Sequence, residues 1–158
     1  MDRTTFVTLV TGHREPLRRF LCALCCGDSA LADDIAQDAC IKAYLSMDSL
    51  KEVDKFASWL NRIAYNTFLD KRRARRENVD EEAAINISAD NASDDAFKYQ
   101  DLYAALAKLP EHERAAILLF YIQGYAIKEI AEIVNQNENA IKQQLSRGRQ
   151  HLRTLLSA

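Results

Sequence analysis

Two cation-rich runs and one short row of acids and an amide are the residues of this 158-residue chain whose types and spacing could do chemistry, and that chemistry is recognition. The first run extends from Arg62 to Arg76, where Arg62, Lys71, Arg72, Arg73, Arg75 and Arg76 face a lone acid, Asp70. The second lies from Asn139 to the end of the chain, with Lys142, Arg147, Arg149 and Arg153 and no acid. Clustered Lys and Arg are what a phosphate-binding surface requires, so the formal charge of −2 averages over two candidate nucleic-acid surfaces. Part of the run from Lys71 to Arg76 is also explained as cations finishing a helix at its negative pole. Asp34, Gln37 and Asp38 form the row of opposite character, a candidate protein-docking face; from these residues alone a solvated acidic surface is the plainer account. Bond-making chemistry finds no support: there is no phosphate-binding glycine loop, no His-Glu-x-x-His and no nucleophile paired with a base. His13, His112 and His151 are scattered and expected to be exposed. Cys22-x-x-Cys25, with Cys26, has metal-ligand spacing, but no second Cys or His pair follows it. Its neighbours Phe20, Leu21 and Leu24 favour core packing, with metal or thiol chemistry as the alternative. No catalytic residue, cofactor or metal is therefore expected.

These residues need rigid elements beneath them, and helices are the ones this sequence can build. Two prolines and four glycines interrupt it, too few for many short strands. A helix is expected from Pro16, with Leu17, Phe20, Leu21 and Leu24 on one face, ending at Gly27. Asp28 is placed to cap a second helix whose apolar positions are Leu31, Ile35, Ala39, Tyr44 and Leu45. Asp54 can cap a third, on which Phe56, Trp59, Leu60, Ile63, Thr67 and Phe68 recur at helical spacing to about Arg76; that spacing makes Trp59 a core residue. From Glu77 to Asp101 eight acids face Lys98, and to Asn91 the apolar periodicity fades, which reads as a linker. Periodicity resumes near Asp95, with Phe97, Leu102, Leu106 and Leu109. Pro110 opens a helix, apolar nearly all round from Ala115 to Tyr121, that should centre a second core, with Gly124 left-handed past its end. A short helix from Ile127 to Val134, a polar turn and a last helix follow. At about 100° per residue, Ile141, Leu145, Gly148 and Leu152 share one side of that last helix and Gln143 points away from it. The longest apolar run, Ala115 to Ile122, is far short of the roughly 18 to 20 residues a membrane span needs, so a soluble, cytoplasmic protein without membrane insertion is expected.

Two helices joined by a tight turn, the second basic and exposed, are what a helix-turn-helix DNA reader requires; a plain helical hairpin is the bland alternative. The segment from Leu31 to Tyr44, LADDIAQDACIKAY, followed by FASWLNRIAYNTFLDKRR from Phe56 to Arg73, resembles region 2 of the extracytoplasmic-function sigma factors of the sigma-70 family. LPEHER from Leu109, GYAIKEIAEIV from Gly124 and AIKQQLSRGR from Ala140 resemble region 4. The motifs stand in the family's order and cover nearly the whole chain. At the turn the family usually carries a glycine where this chain has Asn135, and Asn also adopts left-handed angles.

The resemblance implies an all-α protein of two small helical domains: a region 2 helical bundle over 1–76 and a region 4 helix-turn-helix domain over 95–158, joined by an acidic linker over 77–94. It implies binding of core RNA polymerase through Asp34, Gln37 and Asp38, promoter DNA as the second partner, and an anti-sigma factor as a third. Asn61, Arg62, Asn66, Lys71, Arg72 and Arg73 would contact the melted minus-ten strand, beside a base-capturing loop from Ser46 to Val53. Asn139, Lys142, Gln143, Ser146, Arg147 and Arg149 would read the minus-thirty-five element. The competing expectation is a helix-turn-helix regulator that binds duplex DNA without polymerase.

Overall fold

A computed structural model describes residues 1–77 and 100–157 as helices, short helical turns and their connections. The segment assigned above as a linker, together with Asp95 to Phe97, lies almost wholly outside the described residues. Helix α1 spans Arg3–Leu24, with Asp2 accepting the Thr5 N–H at 2.8 Å as its N-cap. It begins well before Pro16, which sits inside it. A proline within a helix removes one hydrogen bond and presses on the carbonyl four residues back, here that of Gly12. The extra turns are held from the other side: Phe6 is buried and meets Phe56 edge-on, with ring centroids 6.1 Å apart.

After α1, Cys26 and Gly27 both take left-handed backbone angles. Asp28 then caps α2, Ser29–Leu45, by accepting the Leu31 N–H. The buried face of α2 is Ala32, Ile35, Ala39 and Ala43. Tyr44 and Leu45, expected inside, are exposed, because the small alanines let α1 and α3 approach that face and leave the opposite one to solvent. Two 3-10 turns, Met47–Ser49 and Val53–Lys55, lead into α3, Phe56–Glu77.

Helix α4, Gln100–Ala107, precedes Pro110, which occupies the N-cap position of α5, Glu111–Ile117; α5 continues as a π-helical segment, Leu118–Ile122. Gly124 follows with φ of 76°, the left-handed position its sequence context predicts. Helices α6, Ile127–Val134, and α7, Glu138–Leu156, complete the chain. Asn135 between them takes φ 56° and ψ 52°, so it does fill the glycine's role, and Asn137 caps α7 by accepting the Ala140 N–H at 2.8 Å. Gly148 faces α5, and a Cβ there would come within 2.8 Å of Ile117 Cγ1.

Sequence periodicity suggested two cores. The buried residues of α1 to α3 and those of α4 to α7 instead join one apolar cluster. Arg114 on α5 fastens the halves from inside: 5% exposed, its guanidinium donates to Leu106 O, Ala107 O and Leu109 O at the end of α4 and to Leu24 O at the end of α1. Two helix C-termini, each the negative pole of its dipole, thus surround one buried cation.

Candidate nucleic-acid interface

The helix-turn-helix is built from α6, the left-handed Asn135 and α7. On α7 the buried residues are Ile141, Leu145 and Gly148, and Asn139, Lys142, Gln143, Ser146, Arg147 and Arg149 are all exposed, so the six residues predicted to face DNA do face solvent. Gln143 stands nearly opposite Ile141, in the first turns of the helix where a recognition helix meets base edges. Arg149 has a partner of its own, donating to Tyr121 Oη at 3.1 Å. The inner side of α7 is tied to α5 by His151, whose Nδ1 lies 2.7 Å from the buried Glu113 carboxylate, and by the close approach at Gly148.

Helix α3 divides its predicted contacts between three sides. Arg62, Asn66 and Arg73 are exposed and fall within about 40° of one another, a polar strip open to solvent. Asn61, Tyr65, Phe68 and Arg72 share a different strip, within about 60°, turned to the second half of the chain. Along it, Asn61 is 5% exposed and donates to Tyr125 Oη at 2.8 Å, Tyr65 Oη meets His112 Nδ1 at 3.0 Å, and Arg72 is ion-paired with Glu111, which also takes Arg76 at 3.1 Å. Burial pushes the phenols of Tyr65 and Tyr125 above their ordinary range, which keeps both neutral. The thread goes on: Gln136 donates to His112 Nδ1 at 3.3 Å and Gln144 of α7 donates to Gln136 Oε1 at 2.5 Å. Of the three histidines expected to be exposed, His112 and His151 are exposed but occupied, whereas His13 is half-buried, its Nδ1 2.7 Å from Leu9 O.

Lys71 lies on the third side, toward α2. Its Nζ is 2.8 Å from Asp34 and 2.7 Å from Asp38. Those hydrogen bonds hold the ammonium above its usual pKa. Asp34, Gln37 and Asp38 are therefore together on the outer face of α2, and the structure adds two residues to them that the apolar pattern had hidden. Ile41 is 57% and Leu45 78% exposed, and with the polar three they occupy an arc of about 100°. A helical wheel anchored on Asp34 would have found them.

The loop from Ser46 to Val53 is pinned at its middle. Ser49 Oγ donates to Ser46 O at 2.7 Å and accepts the Trp59 indole N–H at 3.3 Å. Trp59 is half-buried against Phe56, so it serves both the core and this loop. Cys25 and Cys26 are buried and Cys22 and Cys40 partly so; all four are free thiols, raised by burial, with Cys25 pushed up to about 12. No described helix is long and apolar enough to cross a membrane.

Set beside known proteins, residues 9–78 match the family model described as Sigma-70 region 2 and residues 99–152 that of Sigma-70, region 4. The ECF RNA polymerase sigma factor SigW of Bacillus subtilis is 33% identical, over 98% of this chain and 90% of that one. The ECF RNA polymerase sigma factor SigM of Mycobacterium tuberculosis is also 33% identical, over 98% of this chain and 79% of its own length. Among solved structures, the complex of the sigma factor RpoE with the anti-sigma factor NepR from Bartonella quintana superimposes with a TM-score of 0.81 at 27% identity, covering 98% of both chains. That of CnrH with the cytosolic domain of CnrY gives 0.72 at 23% identity, a likeness of fold.

Proposed function

As a member of the sigma-70 family, of the extracytoplasmic-function type, the chain binds core RNA polymerase and directs it to promoters, and we propose that three of its surfaces divide that work. The outer face of α2 (Asp34, Gln37, Asp38, with Ile41 and Leu45) docks on a basic segment of the polymerase, where charge complementarity sets orientation and the apolar pair supplies buried area. The open strip of α3 (Arg62, Asn66, Arg73) holds the phosphates of the melted minus-ten strand next to the loop anchored by Trp59, and Lys71, Asn61 and Arg72 join it once their present partners release them. Helix α7 reads the minus-thirty-five element in the major groove, with Gln143 toward base edges and Lys142, Arg147 and Arg149 on phosphates.

The observation that carries this reading is the exposure of all six α7 residues, with Gln143 nearly opposite the Ile141, Leu145 and Gly148 contact. Such a factor supplies specificity and binding energy, and the polymerase supplies the chemistry, so the chain itself is read as non-catalytic. An anti-sigma factor is a further partner by analogy with the RpoE and NepR complex.

In vitro transcription from a promoter library, with purified core polymerase and with or without this protein, tests the reading. Promoter-selective transcripts that require both components are expected. Tight, sequence-specific binding to duplex DNA by the chain alone, with no effect on transcription start, would instead establish a free-standing helix-turn-helix regulator.

A further inference from the structure

Lys71 occupies a position that serves neither of the two surfaces it lies between. It leaves the cationic end of α3, beside Arg72 and Arg73, and places its ammonium within hydrogen-bonding distance of two carboxylates on α2. Those carboxylates belong to the face assigned to the polymerase. Their side chains remain 56% and 41% exposed, whereas that of Lys71 is 28% exposed. The ammonium therefore neutralises the acids from below and leaves their outer lone pairs open. Asp70, next in sequence, is engaged separately by Lys42 at 3.8 Å.

Building on the proposed docking face, we propose that Lys71 is an exchangeable counter-ion that couples polymerase docking to DNA binding. In the free chain it satisfies Asp34 and Asp38. When a basic segment of the polymerase arrives, its cations take over the two carboxylates, and Lys71 is released to the adjoining cationic end of α3, where a backbone phosphate becomes its partner. Pairs this exposed are weak enough to be displaced by an incoming cation. The coupling is reciprocal by linkage: a phosphate that holds Lys71 away from α2 leaves the acids free for polymerase.

The experiment compares the full-length wild type with Lys71→Met, Lys71→Arg and the double variant Asp34→Asn, Asp38→Asn. Two quantities are measured: affinity for core polymerase without DNA, and the salt dependence of the holoenzyme on a promoter fork with a single-stranded minus-ten segment. Removing the internal competitor should tighten core binding of Lys71→Met about five-fold. The slope of log affinity against log salt on promoter DNA should at the same time fall by about 0.7, the loss of one single-strand phosphate contact. Lys71→Arg should behave as wild type in both, and circular dichroism melts should show all variants folded. Core affinity that is unchanged or weaker in folded Lys71→Met overturns the exchange, and so does tighter binding with an unchanged salt slope. The double variant separates this failure from that of the docking face: if it binds core as wild type does, the α2 face is not the polymerase surface and both ideas fall, whereas if it binds weakly, only the role of Lys71 is lost.

Discussion

At residue 143 a glutamine amide can pair bidentately with adenine, a contact worth about 1 to 3 kcal/mol of discrimination. Gln143→Ala is accordingly expected to relax preference at one base pair of the minus-thirty-five element, read by transcription from promoters mutated at each position. Arg147, exposed and flanking it, should contribute to all promoters alike, so Arg147→Ala should weaken them uniformly and lower the salt slope by about one unit. If both variants transcribe every promoter as wild type does across a range of salt, the outer face of α7 is only a solvated surface. Cys25 carries a different prediction. Its thiol is pushed up to about 12 in the folded chain from the ordinary 9.0, so its neutral form is favoured by folding. That contribution is complete below pH 9 and is lost as pH rises toward 12. Urea melts should show stability falling across that window, and Cys25→Ala should flatten the fall; an equally steep fall in the variant would assign it to the other groups that burial raises, the thiols of Cys22, Cys26 and Cys40 and the phenols of Tyr65 and Tyr125.

Local geometry decides where the elements start, stop and touch. Asn135 ends α6 in the left-handed region with its side chain exposed, so Asn135→Gly should leave the melting temperature nearly unchanged, while Asn135→Val should cost about 1 to 2 kcal/mol through the Cβ penalty. Thermal melts followed by circular dichroism separate the two. Gly148 is the reverse case, ordinary in its angles but without space, since α5 passes too close for a Cβ. Gly148→Val should lower stability by about 1 to 3 kcal/mol, because Ile117 must move for the side chain to fit. The loss would be felt at the interface, since the same contact sets how α7 sits on α5. A variant as stable as wild type would mean that the two helices can separate without cost.

Across the whole molecule, the strip of α3 that carries Asn61, Tyr65, Phe68 and Arg72 is covered by α5 and α6, and Arg114 links the ends of α1 and α4 within the same cluster. The free chain is therefore expected to unfold in one transition, seen together by the fluorescence of Trp59 and by a probe attached to α7. Two transitions well separated in urea would show that the halves are independent. Arg114→Met should lower the unfolding free energy measured in that single transition by at least about 2 kcal/mol, because the carbonyls of two helix ends lose their donor inside the core. Arg114→Lys should recover little of it, since one ammonium cannot reproduce a planar fork of donors. For Asn61 and Arg72 to reach DNA, the same interface has to open, so weakening it with Tyr125→Phe should increase promoter binding by holoenzyme rather than decrease it.

What the sequence determined by itself is whatever depends on neighbours along the chain. Helical period, the cap at Asp28, the left-handed turns at Gly124 and Asn135, and the outward direction of Gln143 all follow from residues within a few positions of one another, and the two sigma motifs are contiguous stretches. The true start of α1 was less legible, because Pro16 looks like a first-turn residue until Phe6 is seen packed on Phe56. Tertiary structure alone decided how the charges are spent. Lys71, Arg72 and Arg73 are consecutive cations, yet one turns to Asp34 and Asp38, one to Glu111 and one to solvent, since about 100° of helical rotation separates each from the next and a different neighbour waits on each side. The same holds for the single core: apolar stripes announce that a face will be buried, but only the packed molecule shows that a second strip of α3, with Asn61, Tyr65, Phe68 and Arg72, is covered by a part of the chain about forty to sixty residues further along.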